Sequence, residues 1–91
     1  MITKVEIVPI MPNQGHVAFA NIILGDTLAL NGIGIHTCLS RDGFRLLYPI
    51  KTLPNGKTIQ IYHPVTKELS NEIQEAVVSR YEALLGKAVK L

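Results

Sequence analysis

The hydrophobic pattern of this chain changes period once, at His63-Pro64, and that switch limits the fold more than any single motif. Downstream of it, Leu69, Ile73, Ala76, Val77, Tyr81 and Leu84 fall on one stripe at the helical spacing of about 3.6 residues. Glu68, Glu72, Glu75, Ser79 and Glu82 lie off that stripe. Thr66 suits the N-cap, Glu68 sits in the positive first turn, and Gly86 with Lys87 beyond it suits the stop. The capping box is missing, since Leu69 holds the position of its Glu or Gln. The spacing predicts a helix over about 67–85. Pro64 pushes His63 out of the α region and so marks the boundary.

Upstream of the switch the period is two, and the chain reads as hairpins. Val5 and Ile7 alternate with Lys4 and Glu6 in a half-buried strand over about 3–10, which Pro9 ends or places at a sheet edge. Met11-Pro12-Asn13-Gln14-Gly15 is turn chemistry. A second strand over about 16–24 is apolar on both parities apart from Asn21. Gly25-Asp26 suits the centre of a tight turn into a third strand over about 27–37. Within that strand Gly32 and Gly34 bare one face, which suits a bulge or a close neighbouring chain.

Asn55-Gly56 joins two further strands, over about 44–52 and 57–62. A two-residue loop pairs Lys51 with Gln60 and gathers Phe44, Leu46, Tyr48, Ile50, Ile59 and Ile61 on one face. Arg45, Lys51, Gln60 and Tyr62 then share the other. A slip of one residue mixes the two sets, so the pattern selects the two-residue loop. The expected fold is α+β: a five-stranded antiparallel sheet of hairpins followed by one long C-terminal helix packed on the sheet.

Residues 1–91 make one domain. A chain of this size buries roughly 60–65% of its unfolded surface. With 47% hydrophobic and 18% charged residues it is no disordered tail, and it is apolar enough to favour an oligomer. Lys4, Glu6 and Pro9 interrupt the N-terminus before an apolar signal region can form. The longest apolar stretch, Val17 to Leu24, has eight residues including Asn21, far short of a membrane span. Cys38 stands alone, so no internal disulfide forms and a reducing cytoplasm is the expected setting.

Net charge is only +2, but it is unevenly placed. Residues 41–65 carry Arg41, Arg45, Lys51 and Lys57 against Asp42 alone, while the rest of the chain is close to balanced. Arg45 and Lys51 supply cations for phosphates, Gln60 an amide for a base edge, and Tyr62 a ring for stacking. The plainer reading of the same residues is an ordinary solvated sheet face.

Other chemistry finds little support. His36 and Cys38, with His16 and His63, lack the paired spacing of a structural zinc site. Cys38 lies on a strand, away from a helix N-terminus that would lower its thiol pKa. Nucleophile elbow, phosphate loop and paired catalytic carboxylates are all absent from the sequence. No catalysis, metal, cofactor or small-molecule substrate is expected.

The runs Lys51-Thr52-Leu53-Pro54-Asn55-Gly56, Ile61-Tyr62-His63-Pro64-Val65 and Ile73-Gln74-Glu75-Ala76-Val77 together resemble a known family. In that order and spacing they look like the hairpin, the His-Pro switch and the helix of the SpoVG family (stage V sporulation protein G, the septation regulator). Val5-Glu6-Ile7 and the segment Ala20 to Leu30 look like its first strands, so the likeness covers residues 3–82. It implies a small bacterial regulator of septation, sporulation or virulence genes that binds DNA, and RNA as well, as a homodimer without catalysis. It also implies an antiparallel sheet, a C-terminal helix and dimerisation through strands.

Lys51 matches one of the family's basic hairpin residues, whereas Thr52 stands at the next basic position. Gly32-Ile33-Gly34 replaces the usual Asp-Ile-Arg, and Ile59 stands where a basic residue is common. Fewer cations weaken the phosphate contribution to binding. The alternative expectation is therefore a SpoVG-like protein-interaction module that has lost most nucleic-acid binding and works through the Gly32–Gly34 region or an apolar sheet face.

Overall fold

The computed structural model describes residues 1–38 and 43–89. Strands β1 (Ile2–Asn13), β2 (His16–Leu24), β3 (Leu28–Thr37) and β4 (Phe44–Leu47) form one antiparallel sheet in the order β1-β2-β3-β4. Strands β5 (Ile50–Thr52) and β6 (Thr58–Gln60) pair with each other as a separate two-stranded sheet, and helix α1 (Lys67–Val89) follows. The molecule is α+β with an antiparallel sheet and one C-terminal helix. The expected five-stranded sheet is instead four strands and a detached hairpin. Tyr48-Pro49 is the cause: proline has no N–H to continue the ladder, so the strand expected over 44–52 breaks there into β4 and β5.

Two other boundaries move for local reasons. β1 continues past Pro9 and Pro12 to Asn13, because it is an edge strand where a missing N–H can face solvent. Its register shifts between Pro9 and Asn13, and the turn narrows to Gln14-Gly15. The helix does not stop at Gly86 but runs on to Val89, since a glycine inside a helix costs only about 1 kcal/mol.

The turn between β2 and β3 centres on Gly25 and Asp26 as expected, but Leu24 lies opposite Leu28, so the loop also takes in Thr27 and β3 starts one residue later than expected. Gly25 and Asp26 take φ of 54° and 57°, and the Thr27 N–H donates to Leu24 O at 3.0 Å. One of the two β3 glycines, Gly32, does lie at a bulge. Ala20 lies opposite Ile33 and Ile22 opposite Leu30, so Asn31 and Gly32 together face Asn21. Gly32 has φ +87°, a conformation that side chains disfavour. Asn21, the polar residue that interrupts an apolar strand, holds this bulge. Its Oδ1 accepts from the Gly32 N–H at 3.0 Å, and its Nδ2 donates to Glu6 Oε1 at 3.1 Å.

Helix α1 covers one face of the sheet. Ile73, Val77 and Tyr81 are buried against Ala18, Ala20 and Ile22 of β2 and Ile33 and Ile35 of β3. Leu69 packs beside them, and Tyr81 meets Phe44 edge to face with ring centroids 4.9 Å apart. Polar contacts tie the helix to both edges of the sheet: Gln74 Nε2 donates to Phe44 O at 2.8 Å, and the Ile2 N–H to Glu72 Oε2 at 3.3 Å. Thr66 is the N-cap, its Oγ1 accepting from the Leu69 N–H at 3.2 Å. Among the described residues, no helix is long and apolar enough to cross a membrane.

Candidate nucleic-acid interface

The β5–β6 loop is Pro54-Asn55-Gly56, three residues rather than the expected two. The Gly56 N–H donates to Leu53 O at 2.9 Å and the Leu53 N–H to Lys57 O at 2.7 Å. Of the three loop residues only Gly56 takes a positive φ, +86°. A type I turn with proline at its second position, followed by a left-handed glycine, has this form; the two-residue loop needs positive φ at Asn55 as well. Ile50 therefore lies opposite Gln60, Lys51 opposite Ile59 and Thr52 opposite Thr58, one residue away from the expected register. Cationic and apolar side chains end up mixed. The clean separation assumed that one face would be buried, yet Ile50, Ile59 and Ile61 are 55%, 48% and 60% exposed. With both faces in solvent nothing penalises the mixing, and turn chemistry sets the register.

Of the residues expected to bind nucleic acid, the five described ones, Arg45, Lys51, Lys57, Gln60 and Tyr62, are not gathered on one surface. Lys51, Lys57 and Gln60 are exposed on the hairpin. Arg45 is exposed on β4, paired across the ladder with His36. Tyr62 is half-buried, its ring 6.1 Å from that of Tyr48 and its Oη donating to Asn31 O at 2.6 Å. That bond anchors the segment leaving the hairpin to the bulge of β3. Burial, with Tyr48 beside it, pushes the Tyr62 phenol above its ordinary range, and burial does the same to Tyr48. Arg41 lies outside the described residues.

The sheet face turned away from the helix carries a cluster that the sequence pattern did not reveal. The β2–β3 register shifts between His16 and Ala18, which brings His16 into line with His36. The two imidazoles stack with centroids 4.5 Å apart and planes 4° from parallel. Phe19 meets His16 edge to face at 4.5 Å. Gly34 lies beneath: a Cβ there would stand 3.2 Å from His36 Nε2 and 3.5 Å from His16 Nε2. His16 Nε2 is 3.0 Å from Ala18 O. Burial first, then His16 and Arg45 nearby, hold the His36 imidazole below its ordinary range. Only a bulge that changes strand parity could have signalled this, and a bulge at Val17 leaves no mark in the residue types.

Stacked rings cannot both turn a nitrogen lone pair to one ion. His63 is elsewhere, with Nδ1 3.2 Å from the neighbouring Pro64 O, and among the described residues no three His, Cys, Asp or Glu come together as metal ligands. What the surfaces offer is cations on an exposed hairpin, and flat rings beside Arg45 on an open sheet.

A sequence model of the SpoVG family matches residues 1–83 of the chain. The chain is similar to a protein of Treponema denticola named "Putative septation protein SpoVG", with 31% identity over 81 residues that cover 89% of this chain and 85% of the relative. A protein of the same name from Caldicellulosiruptor saccharolyticus is 30% identical over 46 residues, covering 50% of this chain and 52% of the relative. The family match takes in the whole sheet, the hairpin and most of the helix, and so the chain belongs to the SpoVG family.

Proposed function

We propose that this protein is a SpoVG-type regulator of septation or sporulation that binds DNA or RNA in the cytoplasm, as a homodimer and without catalysis. One observation carries the reading. From Gly43 to Val65 the chain holds Arg45, Lys51 and Lys57 with no acidic residue, and this is where it leaves the main sheet for an exposed hairpin. Cations in that position meet phosphates without disturbing the core, and Gln60 adds an amide on the same hairpin.

Salt dependence tests it. Each phosphate contact contributes ~0.9 to the slope of log K against log salt for duplex DNA and ~0.7 for single strands. Lys51→Ala should flatten that slope by roughly 1.4–1.8 per dimer if both subunits touch one nucleic acid, and Thr52→Arg should steepen it. Absence of binding at low salt, or wild-type slopes in both variants, would defeat the reading.

A second reading, a protein-interaction module, draws on the exposed Ile50, Ile59 and Ile61 of the same hairpin. It expects neither change of slope, and expects partner binding to survive loss of Lys51.

A further inference from the structure

We propose that His16, His36 and Arg45 form a proton-gated site for the phosphodiester backbone of nucleic acid on the open sheet face. This rests on the nucleic-acid reading above and places a second contact surface away from the hairpin. The site is assembled by backbone geometry. The register shift near Val17 sets His16 beside His36, Gly34 leaves the space beneath them clear of a side chain, and the β3–β4 ladder sets Arg45 opposite His36. Both imidazoles remain half-exposed, and Arg45 is exposed.

Three groups that are or can become cationic thus lie together on one patch. Burial, with the stacked His16 ring and Arg45 close by, holds the His36 imidazole below its ordinary range, so it gives up its proton more readily when no anion is beside it. Among the described residues, no acid lies opposite the histidines or Arg45 in the strand ladders. β1 places Asn13 opposite His16 and Val8 opposite Phe19; β4 adds Leu47 opposite Gly34; and α1 covers the other face. Glu6, the acid that β1 turns to this face, is bonded to Asn21. Cys38, an uncrosslinked thiol, comes just after the end of β3. A phosphate lying across the rings supplies the missing negative charge. It draws a proton onto His36, accepts imidazole N–H groups and pairs with the Arg45 fork. Binding therefore takes up protons, and affinity rises as pH falls.

The experiment measures affinity for a single-stranded oligonucleotide at constant ionic strength from about pH 7.5 to about pH 5.5, for wild type, His36→Gln, His16→Gln and Lys51→Ala. Wild type should tighten by up to ~10-fold per pH unit for each proton taken up. His36→Gln and His16→Gln should lose the pH dependence. Lys51→Ala should weaken binding at every pH and keep it. Histidine titration by NMR, which needs no variant, should show the His36 pKa rising when oligonucleotide is added. Inorganic phosphate at equal phosphate concentration should raise it less.

Binding with no pH dependence, or with one that survives both histidine changes, overturns the site and leaves the hairpin reading standing. An equal response to inorganic phosphate, with oligonucleotide affinity indifferent to pH, assigns the rings to a free anion and overturns the backbone contact. No oligonucleotide binding at any pH removes both proposals together.

Discussion

Asn21 and Gly32 show how one side chain settles a backbone problem. A bulge takes an N–H out of the ladder, and leaving that group unpaired would cost on the order of 1–3 kcal/mol if it were buried. Asn21 Oδ1 meets the need, while its amide reaches across to Glu6, so a single residue spans β1, β2 and β3. Gly32 meets the other requirement, a left-handed φ, with nothing within 4 Å of where its Cβ would stand. Gly32→Ala should therefore destabilise the fold by about 1–2 kcal/mol through backbone strain alone. Chemical denaturation would measure this, and an unchanged midpoint would mean that the bulge relaxes. Both residues stand out in the sequence, Asn21 as a polar break in an apolar strand and Gly32 as a strand glycine. Their connection does not, because it depends on a register that only the paired strands define.

Elements were legible in proportion to how one-sidedly they are buried. Helix α1 buries a narrow stripe, and Ile73, Val77 and Tyr81 recur at every fourth position, so the spacing carries an unambiguous imprint. Val77→Asp sets a carboxylate where the side chain is 0% exposed and should cost several kcal/mol; a thermal melt unchanged by it would place the stripe away from the sheet. β5 and β6 are exposed on both faces, so no burial constraint marks their alternation, and Asn55-Gly56 alone suggested the wrong loop length. Pro54 held the better clue, since proline at the second position favours the type I turn. The His16–His36 stack was hidden for a related reason: a shift of parity inside β2 breaks the rule by which residues are assigned to faces.

As a whole the molecule is unevenly covered. Helix and sheet close over one core, whereas the hairpin carries Ile50, Ile59 and Ile61 in solvent, and an isolated two-stranded hairpin is at best marginally stable. A second copy of the chain across a two-fold axis would cover those side chains and the unpaired strand edges. Sedimentation at micromolar concentration should accordingly show a dimer, and Ile59→Lys should shift it toward monomer with little change in the melting of the core. A wild-type sample that sediments only as a 10.0 kDa species would exclude this assembly. The hairpin's detachment from the main sheet has one more result. Because β5 and β6 give neither face to the core, substitutions at Lys51, Thr52 or Gln60 leave the packing of Ile22, Ile33 and Val77 untouched. The surface chemistry of the arm and the stability of the body are therefore set by separate groups of residues.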